Sequence, residues 1–193
     1  ARAAFRFTAN KIQAAPLILD KKSLKAQQEF RGILIHSGNA NCFTGQKGLE
    51  DSEKTTYFLA EALNVKKQNC LLASTGIIGR RLPLLKIKQA IPELVNGLSR
   101  KGIDKAKLAI MTTDTFAKEI TASFNIGKSK VTICGLAKGA GMIAPNMATM
   151  LVFIFTDACI TKKALGRALE VAVDNSFNCI TVDGCMSTND SVR

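Results

Sequence analysis

The chain predicts a mixed α/β fold. Short apolar runs closed off by turn residues alternate with longer stretches in which apolar residues recur every three to four positions, and the two kinds interleave along the chain. In order, residues 5–8 and 14–19 read as strand material already inside a domain, so the chain reads as a fragment of a longer protein. Residues 33–36, 70–74, 107–112, 130–134 and 150–155 read as strands, each β-branched or Leu-rich and bounded by Gly, Asn, Asp or Ser. Residues 48–63 read as a helix with Leu49, Tyr57, Leu59 and Leu63 on one face, Asp51 and Glu53 in the first turn, and Thr44 as a cap. Residues 84–98 carry Ile87, Ile91, Leu94 and Leu98 at helical spacing, with a kink or a new first turn expected at Pro92. Residues 162–175 carry Leu165, Leu169, Val171 and Val173, and Thr161 fits an N-cap.

Composition bounds the rest. At 193 residues and 47% hydrophobic, the chain can bury a sizeable core in one domain. It is not a disulfide-stapled mini-protein, a disordered acidic tail or a coiled coil. The longest apolar run, residues 150–155, is far short of the roughly 18 residues of a membrane span. The net charge is +12, and residues 1–148 carry 23 basic against 10 acidic side chains. Such a surface attracts nucleic acid, anionic lipid or small anionic substrates, or is simply solvated. The absence of Trp and the single Tyr57 argue against base stacking. The six cysteines include no C-x-x-C pair, and His36 is the sole histidine, so no zinc site is expected; the thiols fit a reducing compartment.

Four segments carry candidate chemistry. Residues 135–151, GLAKGAGMIAPNMATML, place Gly139, Gly141, Pro145 and Asn146 in a turn that delivers Thr149 to the first position of a strand. That arrangement holds a hydroxyl nucleophile rigidly, although β-branched Thr also favours strands for its own sake. His36 is the only imidazole available as a base. Alternatively, scission between Ala148 and Thr149 would free an α-amine of pKa about 7.7–8.0, better poised than a lysine at about 10.4. Residues 74–83, STGIIGRRLP, follow an apolar strand; Gly76 lets a backbone N–H approach a substrate, and the Thr75 hydroxyl adds a second donor, together an oxyanion hole. The alternative is an ordinary strand-to-helix turn with Arg80 and Arg81 solvated. Residues 111–118, MTTDTFAK, with Thr112, Thr113 and Asp114, sit at a predicted strand end and either form a turn or line a cleft. Residues 37–45, SGNANCFTG, suit a tight loop.

Together these segments, with FTANKIQAAP near the start and SFNCITVDGCMSTNDSV near the end, resemble the ornithine acetyltransferase (glutamate N-acetyltransferase) family along nearly the whole chain. The resemblance implies a layered sandwich of mixed sheets flanked by helices, similar to N-terminal-nucleophile enzymes and incomplete on its C-terminal side. Residues 1–193 would form a single partial domain, with 1–148 most of an α chain and 149–193 the start of a β chain. It implies scission between Ala148 and Thr149, Thr149 as nucleophile, Thr75 and Gly76 as the oxyanion hole, and Thr112, Lys138 and Thr149 as substrate contacts. The substrates would be N2-acetylornithine and glutamate, with acetyl-CoA a further donor in some members and no other cofactor or metal. The α and β chains would assemble as a heterotetramer, without nucleic acid or membrane, in the cytoplasm or an organelle matrix. Cys185 stands where the family usually has Asp. The other readings are a related aminopeptidase, whose acyl-enzyme water resolves, and a non-catalytic basic binding domain.

Overall fold

The computed structural model describes residues 1–26, 29–144 and 150–193. The chain divides into two compact units, one of residues 1–2 and 11–112 and one of residues 3–10 and 113–193.

The first unit is built on two parallel strands, β2 (Gly32–Asn39) and β3 (Cys70–Ile77), with Ile33 opposite Leu71 and Ser37 opposite Thr75. Parallel pairs are covered on both faces, so β3 is a continuous apolar run with Leu71, Leu72 and Ala73 fully buried. Three helices surround it: α1 (Ala15–Ala26), α2 (Gly45–Leu63) and α3 (Leu84–Asn96). Leu19, Leu34, Leu59, Ala60, Cys70, Leu72 and Ile91 close one core between them. Residues 14–19 are thus the start of a helix, not a strand. Pro16 lies in its first turn, where the missing N–H is no loss, and the polar DKKSLK run extends it. From α1, Asp20 reaches β3 and accepts the Leu72 amide at 3.1 Å.

Helix α2 departs from its expected face. Tyr57 is exposed, and the buried stripe is Gly48, Asp51, Ser52, Thr55, Thr56, Leu59 and Ala60. Small side chains there permit close packing, and the Thr55 and Thr56 hydroxyls return to the carbonyls one turn back. The helix starts at Gly45, so Asp51 lies beyond its first turn, and Thr44 bonds Asn41 instead of capping it. The helix ends on Asn64 in the left-handed conformation. Of the kink or new first turn expected at Pro92, the new turn does not form: one helix, α3, runs through it and buries Ile91, leaving Leu94, and Leu98 just beyond its end, exposed. Residues 107–112 are not a strand either. Helix α4 (Ile103–Ala109) runs into them, with Asp104 in its first turn paired to Lys107 at 2.8 Å.

The second unit is a five-stranded sheet of order β1-β7-β6-β5-β4, comprising β1 (Arg6–Phe7), β4 (Lys118–Ile126), β5 (Ser129–Lys138), β6 (Leu151–Thr156) and β7 (Ser191–Val192). Strand β4, absent from the strands that the sequence predicts, pairs antiparallel with β5 from Lys118–Ala137 to Ile126–Ser129. Gly127, at φ +59°, makes the two-residue turn between them. The sequence of β4 does alternate, Ile120, Ala122, Phe124 and Ile126 against Thr121, Ser123 and Asn125, yet the strand is nearly all exposed at the sheet edge. Helix α5 (Lys162–Asp174) packs Leu169 and Val173 with Val152, Val192, Ile143 and Met150. As expected, the Thr161 hydroxyl caps it, accepting the Ala164 amide. Among the described residues no helix is long and apolar enough to cross a membrane.

Candidate active site

In the first unit the site candidates lie where β2 and β3 end side by side. Gly38 is opposite Gly76, and Asn39 pairs with both Thr75 and Ile77, a local bulge. Gly76 has φ +128°, and a Cβ there would collide with the Gly38 carbonyl carbon and lie 2.5 Å from the Asn39 nitrogen. Only glycine fits, because both the dihedral and the strand approach exclude a side chain. Thr75 beside it is buried.

The loops after these strands, residues 37–45 and 74–83, are laced together. Asn39 donates to the Arg81 carbonyl at 2.9 Å and accepts the Asn41 amide at 2.8 Å. The buried Asn41 amide donates to Gly48 and Ser52 of α2. Arg81 is not merely solvated: its guanidinium clamps the buried Asp51 carboxylate with two bonds of 2.9 and 2.7 Å. Geometry of this bidentate kind restrains the loop in orientation as well as position. Two segments that looked independent in the sequence therefore form one polar scaffold under Gly76.

His36 does contact a serine, Ser74, at 2.8 Å. Ser74 is fully buried, however, and burial lowers the imidazole pKa to about 4, so the pair is neutral and internal. It braces β2 against β3 and does not present a nucleophile. Thr112 is exposed beyond α4. Ser37 ties the end of β2 to that helix by donating to the Ala109 carbonyl at 2.7 Å.

In the second unit Lys138 ends β5 opposite Leu151, the first residue of β6, and is only 3% exposed. Burial lowers its pKa; Asp114 and Asp190 act against that, and Lys118 adds to it. Asp114, a turn former by its sequence context, is a buried carboxylate that accepts from Lys118 Nζ and the Gly139 amide, both at 2.7 Å. Asp190 is 1% exposed, and its Oδ1 accepts the Met150 amide at 2.9 Å. Burial pushes its pKa up to about 8 against the Ser187 hydroxyl, the Met150 amide and the Lys138 charge. Burying either charge costs more than its neighbours return. Asp183 accepts the amides of Met142, Ile143 and Cys185 at 2.6, 2.9 and 3.0 Å, and these bonds hold its pKa below the usual range.

Asp114, Asp183 and Asp190 are the positions that reading the residues one by one undervalued. For Asp183 and Asp190 the available signal was that the last 45 residues carry five acids against four bases in a strongly basic chain. The expected nucleophile Thr149 and the expected scission after Ala148 lie outside the described residues, as do Pro145, Asn146 and Met147. Of the other candidates, Thr75, Gly76 and Thr112 belong to the first unit and Lys138 to the second. Among the described residues no group of three or more His, Cys, Asp or Glu side chains is placed to hold a metal ion. All six cysteines are free; burial raises the Cys70 thiol to about 11.

The chain is 47% identical over 185 residues to the arginine biosynthesis bifunctional protein ArgJ of Geobacter sulfurreducens, covering 96% of the chain and 47% of that protein. It is 48% identical over 191 residues to the glutamate N-acetyltransferase of Methanocaldococcus jannaschii, covering 96% of the chain and 47% of that protein. The chain thus spans about half the length of these curated relatives. Its fold matches the crystal structure of the ArgJ protein of Bacillus halodurans at TM-score 0.68 and 35% identity, covering 76% of each chain. It also matches ornithine acetyltransferase of Mycobacterium tuberculosis, solved in complex with ornithine, at TM-score 0.65 and 30% identity over 78% of each chain. The mixed α/β class expected from the sequence is therefore the class observed, with relatives in bacteria and archaea. The ArgJ family model matches residues 1–193, and the chain belongs to that family.

Proposed function

We propose that the chain is part of an acetyltransferase of arginine biosynthesis that moves acetyl from N2-acetylornithine to glutamate through an acyl-enzyme on Thr149. The observation that carries this reading is the family match over all 193 residues, which includes the 138–151 block ending in Ala148, Thr149 and a β strand.

In this reading the Thr149 hydroxyl oxygen first adds to the Ala148 carbonyl carbon. The peptide C–N bond breaks, the nitrogen leaves as an amine carrying the hydroxyl proton, and an ester joins the two residues. Water hydrolyses that ester, leaving an Ala148 carboxylate and a free Thr149 amine and hydroxyl. The amine then acts as base, its unperturbed pKa of about 7.7–8.0 suiting neutral pH. It takes the hydroxyl proton as the oxygen adds to the acetyl carbonyl of acetylornithine. The Gly76 amide and the Thr75 hydroxyl are assigned to the oxyanion, and the positive φ of Gly76 where β2 and β3 end supports that role. Collapse breaks the amide C–N bond, and the proton passes to the departing ornithine nitrogen. The glutamate amine repeats the addition on acetyl-Thr149 and restores the hydroxyl. Splitting the transfer into two steps lowers each barrier. Thr112 and Lys138 are assigned to substrate contact, Lys138 offering a cation to a substrate carboxylate. Acetyl-CoA as a further donor, and the assembly of α and β chains into a heterotetramer, belong to the same reading.

Intact-mass analysis of the complete precursor tests it. Two chains are expected, the second beginning at Thr149, and the Thr149→Ala precursor is expected to stay whole. A Thr149→Ala protein cut at the same bond would refute the reading. Release of free acetate in place of acetylglutamate, from acetylornithine and glutamate together, would reassign the enzyme as a hydrolase.

A further inference from the structure

The segment before residue 149 and the one after it are each held by a carboxylate, and both carboxylates come from the stretch 183–190. On the upstream side Asp183 accepts the Met142 and Ile143 amides at 2.6 and 2.9 Å. The Ile143 carbonyl in turn accepts from the Val182 amide at 2.9 Å, the Gly184 amide at 3.2 Å and the Thr181 hydroxyl at 3.2 Å. On the downstream side Asp190 Oδ1 accepts the amide of Met150, the residue after Thr149, at 2.9 Å. The stretch that makes both grips is itself tied down. The Thr8 hydroxyl donates to the Ser187 carbonyl at 2.9 Å, the Thr8 amide donates to the Asp190 carbonyl at 3.0 Å, and β7 begins at Ser191.

A second observation singles out Asp190. It is 1% exposed, and among the described residues its Oδ2 has no hydrogen-bond partner. A carboxyl buried with one oxygen unsatisfied costs free energy that a small apolar residue would avoid. Such groups call for an explanation in function. Its raised pKa means that it is largely a neutral acid at pH 7, so its grip on Met150 is that of an acceptor oxygen rather than of a charge.

We propose that Asp190 and Asp183 are positioning residues for the chain scission at residue 149, through their bonds to the Met150 amide and to the Met142 and Ile143 amides. The inference rests on the reading of Thr149 as the scission residue. Scission by a neighbouring hydroxyl depends on attack geometry, and a displacement of about 1 Å is worth on the order of a hundredfold in rate. The bonds to Met150 and to Met142 and Ile143 constrain that geometry from both sides in the chain.

The test is the rate of self-cleavage of the complete precursor, followed by intact mass after synthesis. Wild-type cleavage establishes the underlying reading on its own, and an uncut wild-type chain would defeat that reading and this one together. With the wild type cut, Asp190→Ala is expected to slow scission at least tenfold. Asp190→Asn, which keeps an acceptor oxygen for the Met150 amide, is expected to remain within about threefold of wild type. A role in general stability alone would not produce that rescue. Asp183→Ala, at an exposed position, is expected to slow scission while folding normally, and it decides the matter should Asp190→Ala fail to fold. Wild-type rates in Asp183→Ala or in folded Asp190→Ala would overturn the proposal, as would an Asp190→Asn precursor no faster than Asp190→Ala.

Discussion

The two units hold their candidate residues by different physical means. Around β2 and β3 the work is done by backbone and neutral groups: the positive φ of Gly76, the Asn39–Asn41 loop lattice and the neutral His36–Ser74 pair. The charged Asp51–Arg81 pair there has its cation half exposed. Around β5 and β7 the candidates are ionisable groups out of water, Lys138, Asp114 and Asp190. Backbone donors do not titrate and need no reorganisation when charge develops on a substrate. Buried ionisable groups do titrate, and each is costly unless its neighbours answer it. The first region is suited to stabilising a transient oxyanion at any pH, and the second to holding charged groups whose state depends on their surroundings.

The largest test of this contrast is Gly76→Ala. It forces a side chain into a left-handed conformation and onto the Gly38–Asn39 backbone, moving the amide assigned to the oxyanion. A loss of about 100-fold or more in kcat is expected, with KM little changed, from steady-state kinetics of the mature enzyme. An unchanged kcat in a folded protein would remove Gly76 from the oxyanion role.

Next in size are two opposed pH dependences. His36 has a folded pKa of about 4, below its unfolded value of 6.5. The unfolded chain takes up a proton between these values while the folded one does not, so stability falls as pH drops from 6.5 towards 4, by on the order of 2–3 kcal/mol. Asp190 acts in the other direction. Its folded pKa of about 8 exceeds the ordinary aspartate value of 3.8, so the folded protein keeps a proton that the unfolded chain has shed. Stability therefore falls as pH rises from about 4 towards 8. Urea denaturation across pH 4–8 separates them: His36→Gln should remove the acid-side loss, and Asp190→Asn the loss on the alkaline side. Identical pH profiles for both variants and wild type would erase the distinction between the units.

The smallest effect concerns local structure alone. Thr161→Ala removes the side-chain cap at the start of α5 and should cost about 1 kcal/mol in urea denaturation, without changing the rate of scission.

Elements that obey local rules were legible from the residues. Strand β3 is an unbroken apolar run, β6 likewise, and α5 has both its periodicity and its cap. Errors came where context overrode pattern. Residues 14–19 look like a strand because they are apolar, but Pro16 and the Lys-rich continuation make a helix. The buried face of α2 is mostly Gly, Ser, Thr and Asp, so a search for large apolar residues chose Tyr57, which faces solvent. At the site, Thr75, Gly76 and Lys138 stood out through motif and resemblance, while the Asp51–Arg81 clamp and the two carboxylate grips did not. Their partners lie 30, 40 and 41 residues apart in the chain, and no local periodicity encodes a pairing at that distance.

The order of residues was enough to set the α/β class, the family and the glycine whose conformation no other residue tolerates, since each depends on near neighbours in the chain. Which acids lose their water, and which backbone amides they then hold, was settled by folding. Ionisation and hydrogen bonding depend on what surrounds a group in space, and Asp190 differs from the solvated Asp174 only in being enclosed.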